Sequence, residues 1–170
     1  MIPVVKFIFS RDFAISAEFF AASADSSAFL ARSTDIFIAS AAVSDYRPVQ
    51  VSSEKIKKTS DSLLLALSRT PDILATVAAR QPRPFVVGFA AETQNVERNA
   101  LAKLEGKRLD MIAANLVGDG LAFDCDDNAL TLYWPGGKRE LGRAGKARLA
   151  GQLIGVIAER FAAGVERAAP

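Results

Sequence analysis

Apolar residues run almost unbroken through DIFIASAAV (35–43) and stop at Ser44 and Asp45. A short run of this kind predicts a strand buried on both faces of a parallel sheet. RPFVVGFA (83–90) repeats the pattern, VERNALAKLEGKR (96–108) follows at helical period, and LDMIAAN (109–115) returns as a third strand. Together they predict a strand–helix–strand unit with a right-handed crossover. TPDILATVAAR (70–80) predicts a helix with Thr70 as N-cap, Pro71 at the first helical position and Asp72 favourable to the dipole. SLLLALS (62–68) fits a short strand. AFDCDDNALTLYW (122–134) fits a hairpin turning around Asp126, Asp127 and Asn128. GKARLAGQLIGVIAERF (145–161) fits a closing amphipathic helix, apolar at Leu149, Leu153, Val156, Ile157 and Phe161. Near the start, PVVKFIF fits a strand and FAISAEFFAASADSSAFLA a helix. The order of elements is α/β, and no repeat or linker divides it.

Composition narrows the chemistry. At 170 residues and 18.1 kDa, one domain with a proper core is expected over 1–170. Half the residues are hydrophobic and 24% are charged, which is a globular composition. A net charge of +2 gives no argument for nucleic acid without a basic stripe. The single cysteine, Cys125, allows no internal disulfide and points to a reducing cytoplasm. With no histidine, the usual general base and the commonest metal ligand are both missing, so any catalysis rests on Lys, Asp, Glu, Asn, Ser or backbone groups. No apolar run approaches the ~20 residues of a membrane span, and Lys6, Arg11 and Asp12 break the opening segment in a way a signal peptide does not allow.

In an open α/β sheet, ligands sit beyond the carboxyl ends of the parallel strands. Asp45, GFAAET (88–93) and Asn115 converge there, and the stretch SDYRPVQVSSEKIKK (44–58) leaves from the same edge with Lys55, Lys57 and Lys58 on a loop. Taken alone, a K-x-K-K cluster is more often a solvated surface than a site. Lys103 and Lys107 fall beside the Val96, Ala100, Leu104 stripe, where a lysine either snorkels or points into a site. The free N–H groups of a helix start, here from Asp72 onward because Pro71 has none, suit acceptor atoms of a base or phosphate, although an ordinary capped helix has them too.

AAVSDYRP, EKIKK, TPDIL, VVGFAAET, DMIAAN and FDCDDNALTL occur in this order. In order and spacing they resemble the phosphopantothenoylcysteine synthetase domain, the CTP-dependent phosphopantothenate–cysteine ligase usually fused behind a flavin decarboxylase in bacteria. The resemblance covers residues 35–161 and implies a Rossmann-like three-layer sandwich with a mainly parallel sheet and a C-terminal β-hairpin. It further implies a cytoplasmic homodimer acting on CTP with Mg2+, 4′-phosphopantothenate and cysteine, with no flavin in this domain and a flavin decarboxylase domain as a possible associate.

Residue by residue, Lys55 matches the family's catalytic lysine. Ala39, Ser40, Ala41, Asp45, Pro71, Asp72, Ile73, Leu74, Phe89, Lys103 and Lys107 match nucleotide contacts. Lys57 and Lys58 extend the triphosphate loop, and Asp45 also suits a magnesium ion shared with the phosphates. In such enzymes the substrate carboxylate attacks the α-phosphate of CTP, giving an acyl-cytidylate and pyrophosphate, and the cysteine amine then attacks the acyl group. A mobile cationic loop would neutralise charge that builds during this transfer and exclude water.

The front departs from the family. Members open with a glycine-rich turn and an asparagine near an S-S-G segment, whereas residues 1–34 contain neither glycine nor asparagine. This segment therefore reads as divergent or truncated, with the acyl-acceptor half illegible. Two other classes remain open. A nicotinamide-dependent enzyme would want G-x-G-x-x-G after the first strand, which is absent. A non-catalytic nucleotide-binding or dimerisation remnant of the same family needs no intact front.

Overall fold

A computed structural model describes residues 5–7, 34–40, 43–57, 61–118 and 127–168, with backbone alone at 5–7 and 165–168. The predicted helix over 13–31, Ala41, Lys58, Cys125 and the Asp126 turn position lie outside the described residues. Eight strands and three helices are described: β1 (Val5–Phe7), β2 (Ile36–Ile38), β3 (Tyr46–Pro48), β4 (Leu67–Arg69), α1 (Ile73–Ala78), β5 (Phe85–Glu92), α2 (Val96–Gly106), β6 (Met111–Leu116), β7 (Asp127–Trp134), β8 (Gly137–Gly145) and α3 (Lys146–Ala168).

Six strands form one sheet in the order β1-β2-β5-β6-β7-β8. The first four are mutually parallel and the β7–β8 hairpin is antiparallel. Successive side chains alternate between two cores. Phe37, Val86, Ala90, Ile112, Ala114 and Tyr133 face α1 and α2, where Val77, Ala100 and Leu104 complete the packing. Ile36, Ile38, Val87, Met111, Ala113 and Leu132 face α3 and meet Leu153, Val156 and Ile157. Strands buried on both faces have no polar side to show, which is why β2, β5 and β6 read as unbroken apolar runs. The layers are helix, sheet, helix, as a Rossmann-like sandwich requires.

The amino-terminal ends of β5 and β6 are locked by Asp110. Its carboxylate accepts from the backbone N–H of Val86 at 2.7 Å and pairs with the guanidinium of Arg83, which also donates to the carbonyl of Arg108 at 3.0 Å. This fixes the register of the two central strands at one edge and leaves the opposite, carboxyl edge to the loops.

Several local predictions move. Helix α1 begins at Ile73, with Asp72 as N-cap; Thr70 is drawn away by donating its hydroxyl to the carbonyl of Ser44 and its N–H to that of Asp45 at 3.0 Å. Strand pairing in the 62–68 region is confined to Leu67–Arg69, which pairs antiparallel with Tyr46–Pro48, a strand inside the stretch read as loop. A hairpin of β7 and β8 turns at Pro135 and Gly136; of the expected turn positions, Asp127 and Asn128 belong to β7. Gly136 has φ of +82°, a conformation glycine adopts without a Cβ penalty, so the turn forms there. Leu130 and Leu132 of that hairpin are buried in the chain's own core and offer no free apolar face.

Candidate functional site

Charged groups from three segments meet along α2. α2 starts just after β5, entered through Asn95 in the left-handed conformation (φ 51°), and runs back along the sheet. Lys103 and Lys107 lie one helical turn apart beside the buried Ala100–Leu104 stripe, as their spacing predicts. Each ammonium meets a carboxylate from another element. Lys103 Nζ donates to Glu92 Oε1 at 2.7 Å, and Lys107 Nζ lies 2.8 Å from Asp72 Oδ2.

Asp72 does two jobs at once. One carboxylate oxygen accepts from the backbone N–H of Ala75 at 3.0 Å and caps α1, while the other holds Lys107 and so ties α1 to the end of α2. Burial pushes its pKa up, but the Ala75 amide and the Lys107 ammonium outweigh that, and the net position is below its ordinary 3.8. Glu92 also sits below its ordinary 4.5; the Lys103 hydrogen bond lowers it, burial opposes, and the Asn99 amide adds to the lowering. The sign follows directly. Folded values below unfolded ones give stability that is complete above the ordinary carboxylate range and lost as pH falls through the depressed values. Thermal melts between pH 7 and 3 are therefore expected to fall below about pH 4. Asp72→Ala is expected to destabilise by about 1 kcal/mol at pH 7 through the lost cap, and to lose less on acidification than the parent chain. An identical acid slope in both proteins would remove Asp72 from that transition.

The floor of the same region is Gly88. A Cβ built there would stand 2.9 Å from Leu109 Cδ1 and 3.0 Å from Leu74 Cδ2, so the absence of a side chain lets α1 lie close to the sheet. Ala39, Ile73 and Leu74 are half-buried against this core, and the N–H of Ala39 donates to the carbonyl of Val87 at 2.9 Å just beyond β2. Asp45 is exposed, and its carbonyl accepts from the Thr70 N–H, which brings it alongside Pro71 and Asp72. Ala39, Asp45, Pro71–Leu74 and Lys107 are thus drawn around the start of α1. Ser40, Lys55 and Lys57 are exposed on the segments that leave this edge.

Phe89 stands apart from that group. It packs with Phe85, Trp134 and Phe161 against the α3 core, on the sheet face opposite Leu74. The period of two from Val87 could have told this. Glu92, by contrast, escaped sequence reasoning. Its signal was its place as the last residue of a buried strand, where an acid faces the first turns of the following helix.

Residues 16–161 match the family described as DNA/pantothenate metabolism flavoprotein C-terminal domain. The chain belongs to this family. The match reaches back into the segment that reads as divergent from sequence. Curated relatives agree with it: the coenzyme A biosynthesis bifunctional protein CoaBC of Vibrio cholerae is 50% identical over 77% of this chain and 34% of its own length. The proteins of the same name from Haemophilus influenzae and Escherichia coli are 49% and 46% identical over 74% and 75% of this chain, and 32% of each relative is covered. The chain therefore spans about a third of the length of the curated relatives it matches. Among solved structures, the C-terminal domain of a CoaBC protein superposes with a TM-score of 0.64 at 32% identity, covering 85% of this chain and 62% of that one. A DNA/pantothenate metabolism flavoprotein from Streptococcus pneumoniae gives 0.65 at 22% identity over 81% of this chain and 68% of its own, a likeness of fold alone.

Proposed function

We propose that this chain carries the nucleotide-handling half of a phosphopantothenate–cysteine ligase of coenzyme A biosynthesis. The observation that carries the reading is the Lys103–Lys107 pair one turn apart along α2, Lys103 held by Glu92 at the end of β5 and Lys107 by Asp72 at the start of α1. Family membership and the CoaBC relatives supply the reaction class. CTP would lie across the carboxyl edge, its base and ribose against the strand end at Ala39–Ala41, Asp45 and Pro71–Leu74, without Phe89, which packs on the opposite sheet face. The lysines of α2 and the loop lysines Lys55, Lys57 and Lys58 would face the phosphates.

Attack by the 4′-phosphopantothenate carboxylate on the α-phosphate forms a P–O bond and expels pyrophosphate. Attack by the cysteine amine on the resulting acyl-cytidylate forms the amide and expels CMP. Negative charge grows on the phosphoryl oxygens during the first step, and Lys55 closing over them stabilises it where it develops. Mg2+ commonly takes one or two carboxylates plus nucleotide phosphates, so exposed Asp45 suffices on the protein side. Bound there, it would neutralise phosphate charge.

A homodimer belongs to the same proposal, with its contact on the β3–β4 ribbon. Tyr46, Val49, Val51, Leu65 and Leu67 are exposed there, and Leu64 is 99% exposed. Patches of this kind on a soluble chain mark contact surfaces. A monomer by sedimentation at micromolar concentration would contradict it. A cytoplasmic setting and association with a flavin decarboxylase domain are proposed on the same footing. Among the described residues no helix is long and apolar enough to cross a membrane, and the relatives are named bifunctional.

Residues 1–34 contain neither glycine nor asparagine, the residue types that the resemblance associates with the second half-reaction, and the proposal is therefore confined to the nucleotide-handling half. Purified chain with CTP, Mg2+, 4′-phosphopantothenate and cysteine, followed by product mass, tests this. CTP binding without ligation is expected. Turnover at ~1 per second or faster would overturn the half-site reading while leaving the ligase assignment standing.

A further inference from the structure

Glu92 is the most enclosed member of the charged cluster: its side chain is 15% exposed, against 44% for Lys103, 33% for Lys107 and 47% for Asp72. Both of its oxygens are engaged. Oε1 accepts from Lys103 Nζ at 2.7 Å and Oε2 from Asn99 Nδ2 at 2.8 Å, so two residues one turn apart on α2 fix the plane of the carboxylate. Asn99 is fixed in turn, because the same amide nitrogen reaches the carbonyl of Gln94 at 3.2 Å. The chain of contacts runs from a rigid strand end to a half-exposed ammonium, which keeps donors to spare beyond the one given to Glu92.

A surface ion pair alone adds little to stability. This one differs in having a nearly enclosed acid and a reaching base. The acid cannot follow a ligand and the base can meet one. A lysine otherwise samples many rotamers, and a ligand that needs the ammonium in one place must first order it. We propose that Glu92 is a positioning residue: with Asn99 it holds the Lys103 ammonium at the carboxyl edge of β5 in the orientation that receives the nucleotide phosphates. This rests on the nucleotide-handling reading above and adds to it a residue that acts through another.

The test is a double-mutant cycle on the intact chain, read by calorimetric titration with CTP and Mg2+. Glu92→Ala and Lys103→Ala are each expected to weaken CTP roughly tenfold, and the double variant to be no weaker than Lys103→Ala alone, since the lost partner is shared. Thermal melts of all four proteins run alongside. Should Glu92→Ala not fold, Glu92→Gln, which keeps the shape and loses the charge, takes its place in the cycle. Additive losses of affinity would show that Glu92 serves the fold without acting through Lys103, and would overturn the proposal. So would unchanged affinity in the Glu92 variant. A parent chain that binds no CTP would remove the nucleotide reading itself, an outcome separate from additivity.

Discussion

Replacing Lys55 with glutamine is expected to lower pyrophosphate release by a turnover-competent assembly of this chain at least ~100-fold, a typical loss when one preorganised donor to a developing oxyanion is removed. Lys55 is exposed on the loop that leaves the carboxyl edge after β3. Exposure means that the ammonium is spared desolvation in the free protein and is available to a triphosphate that closes the loop. It also means that removal leaves the fold alone, since surface substitutions usually fall within about 0.5 kcal/mol. The two halves of the expectation check each other. Loss of pyrophosphate release with an unchanged melting temperature assigns the effect to the reaction. Unchanged release would remove Lys55 from the mechanism, and joint loss of release and stability would mean the loop is part of the core after all.

Gly88→Val is expected to destabilise the chain by about 2–3 kcal/mol, the upper part of the range for inserting methyl groups into a filled core. Even the first carbon would meet Leu109 at 2.9 Å and Leu74 at 3.0 Å. Those are terminal methyl groups and yield to an alanine at modest expense. The two further methyls of valine have the same neighbours and no second place to go, because Leu109 is buried and Leu74 sits on α1. The helix must therefore lift. Lifting α1 moves Asp72, and with it the partner of Lys107, so nucleotide affinity is expected to fall together with stability. For a domain of this size the melting temperature should drop by roughly 5–10 °C. Gly88→Ala should lose less than half as much. Equal stability of the valine variant and the parent would show that α1 does not lie on Gly88 in solution.

The sequence disclosed the sheet better than the edges. β2, β5 and β6 are visible because Ile36, Ile38, Val86, Val87 and Ile112 must be apolar on both faces. The helix carrying Lys103 and Lys107 is visible because Ala100 and Leu104 repeat at its period. What failed were choices settled by distant partners. Thr70 and Asp72 are both competent N-caps, and the decision for Asp72 comes from Ser44, 26 residues away, which takes the Thr70 hydroxyl. The β7–β8 turn went unread although Gly136, free to take positive φ, marks it. β3 could not be seen because Tyr46–Pro48 has its partner across a long excursion and no buried face. Within the site, the lysines were legible and their carboxylates only partly so. Asp72 entered as a nucleotide contact and not as the partner of Lys107, and Glu92 stayed hidden because its meaning lies in Asn99 and Lys103 on the next helix.

The most direct measurement is calorimetric titration of the intact chain with CTP, and separately with ATP, in the presence of Mg2+. Fixed backbone donors and acceptors at a base site reject a base that leaves them unpaired. Saturable one-site binding of CTP, at least ~10-fold tighter than ATP, is expected. No binding of CTP, or equal affinity for the two nucleotides, would contradict the nucleotide-handling assignment of the carboxyl edge.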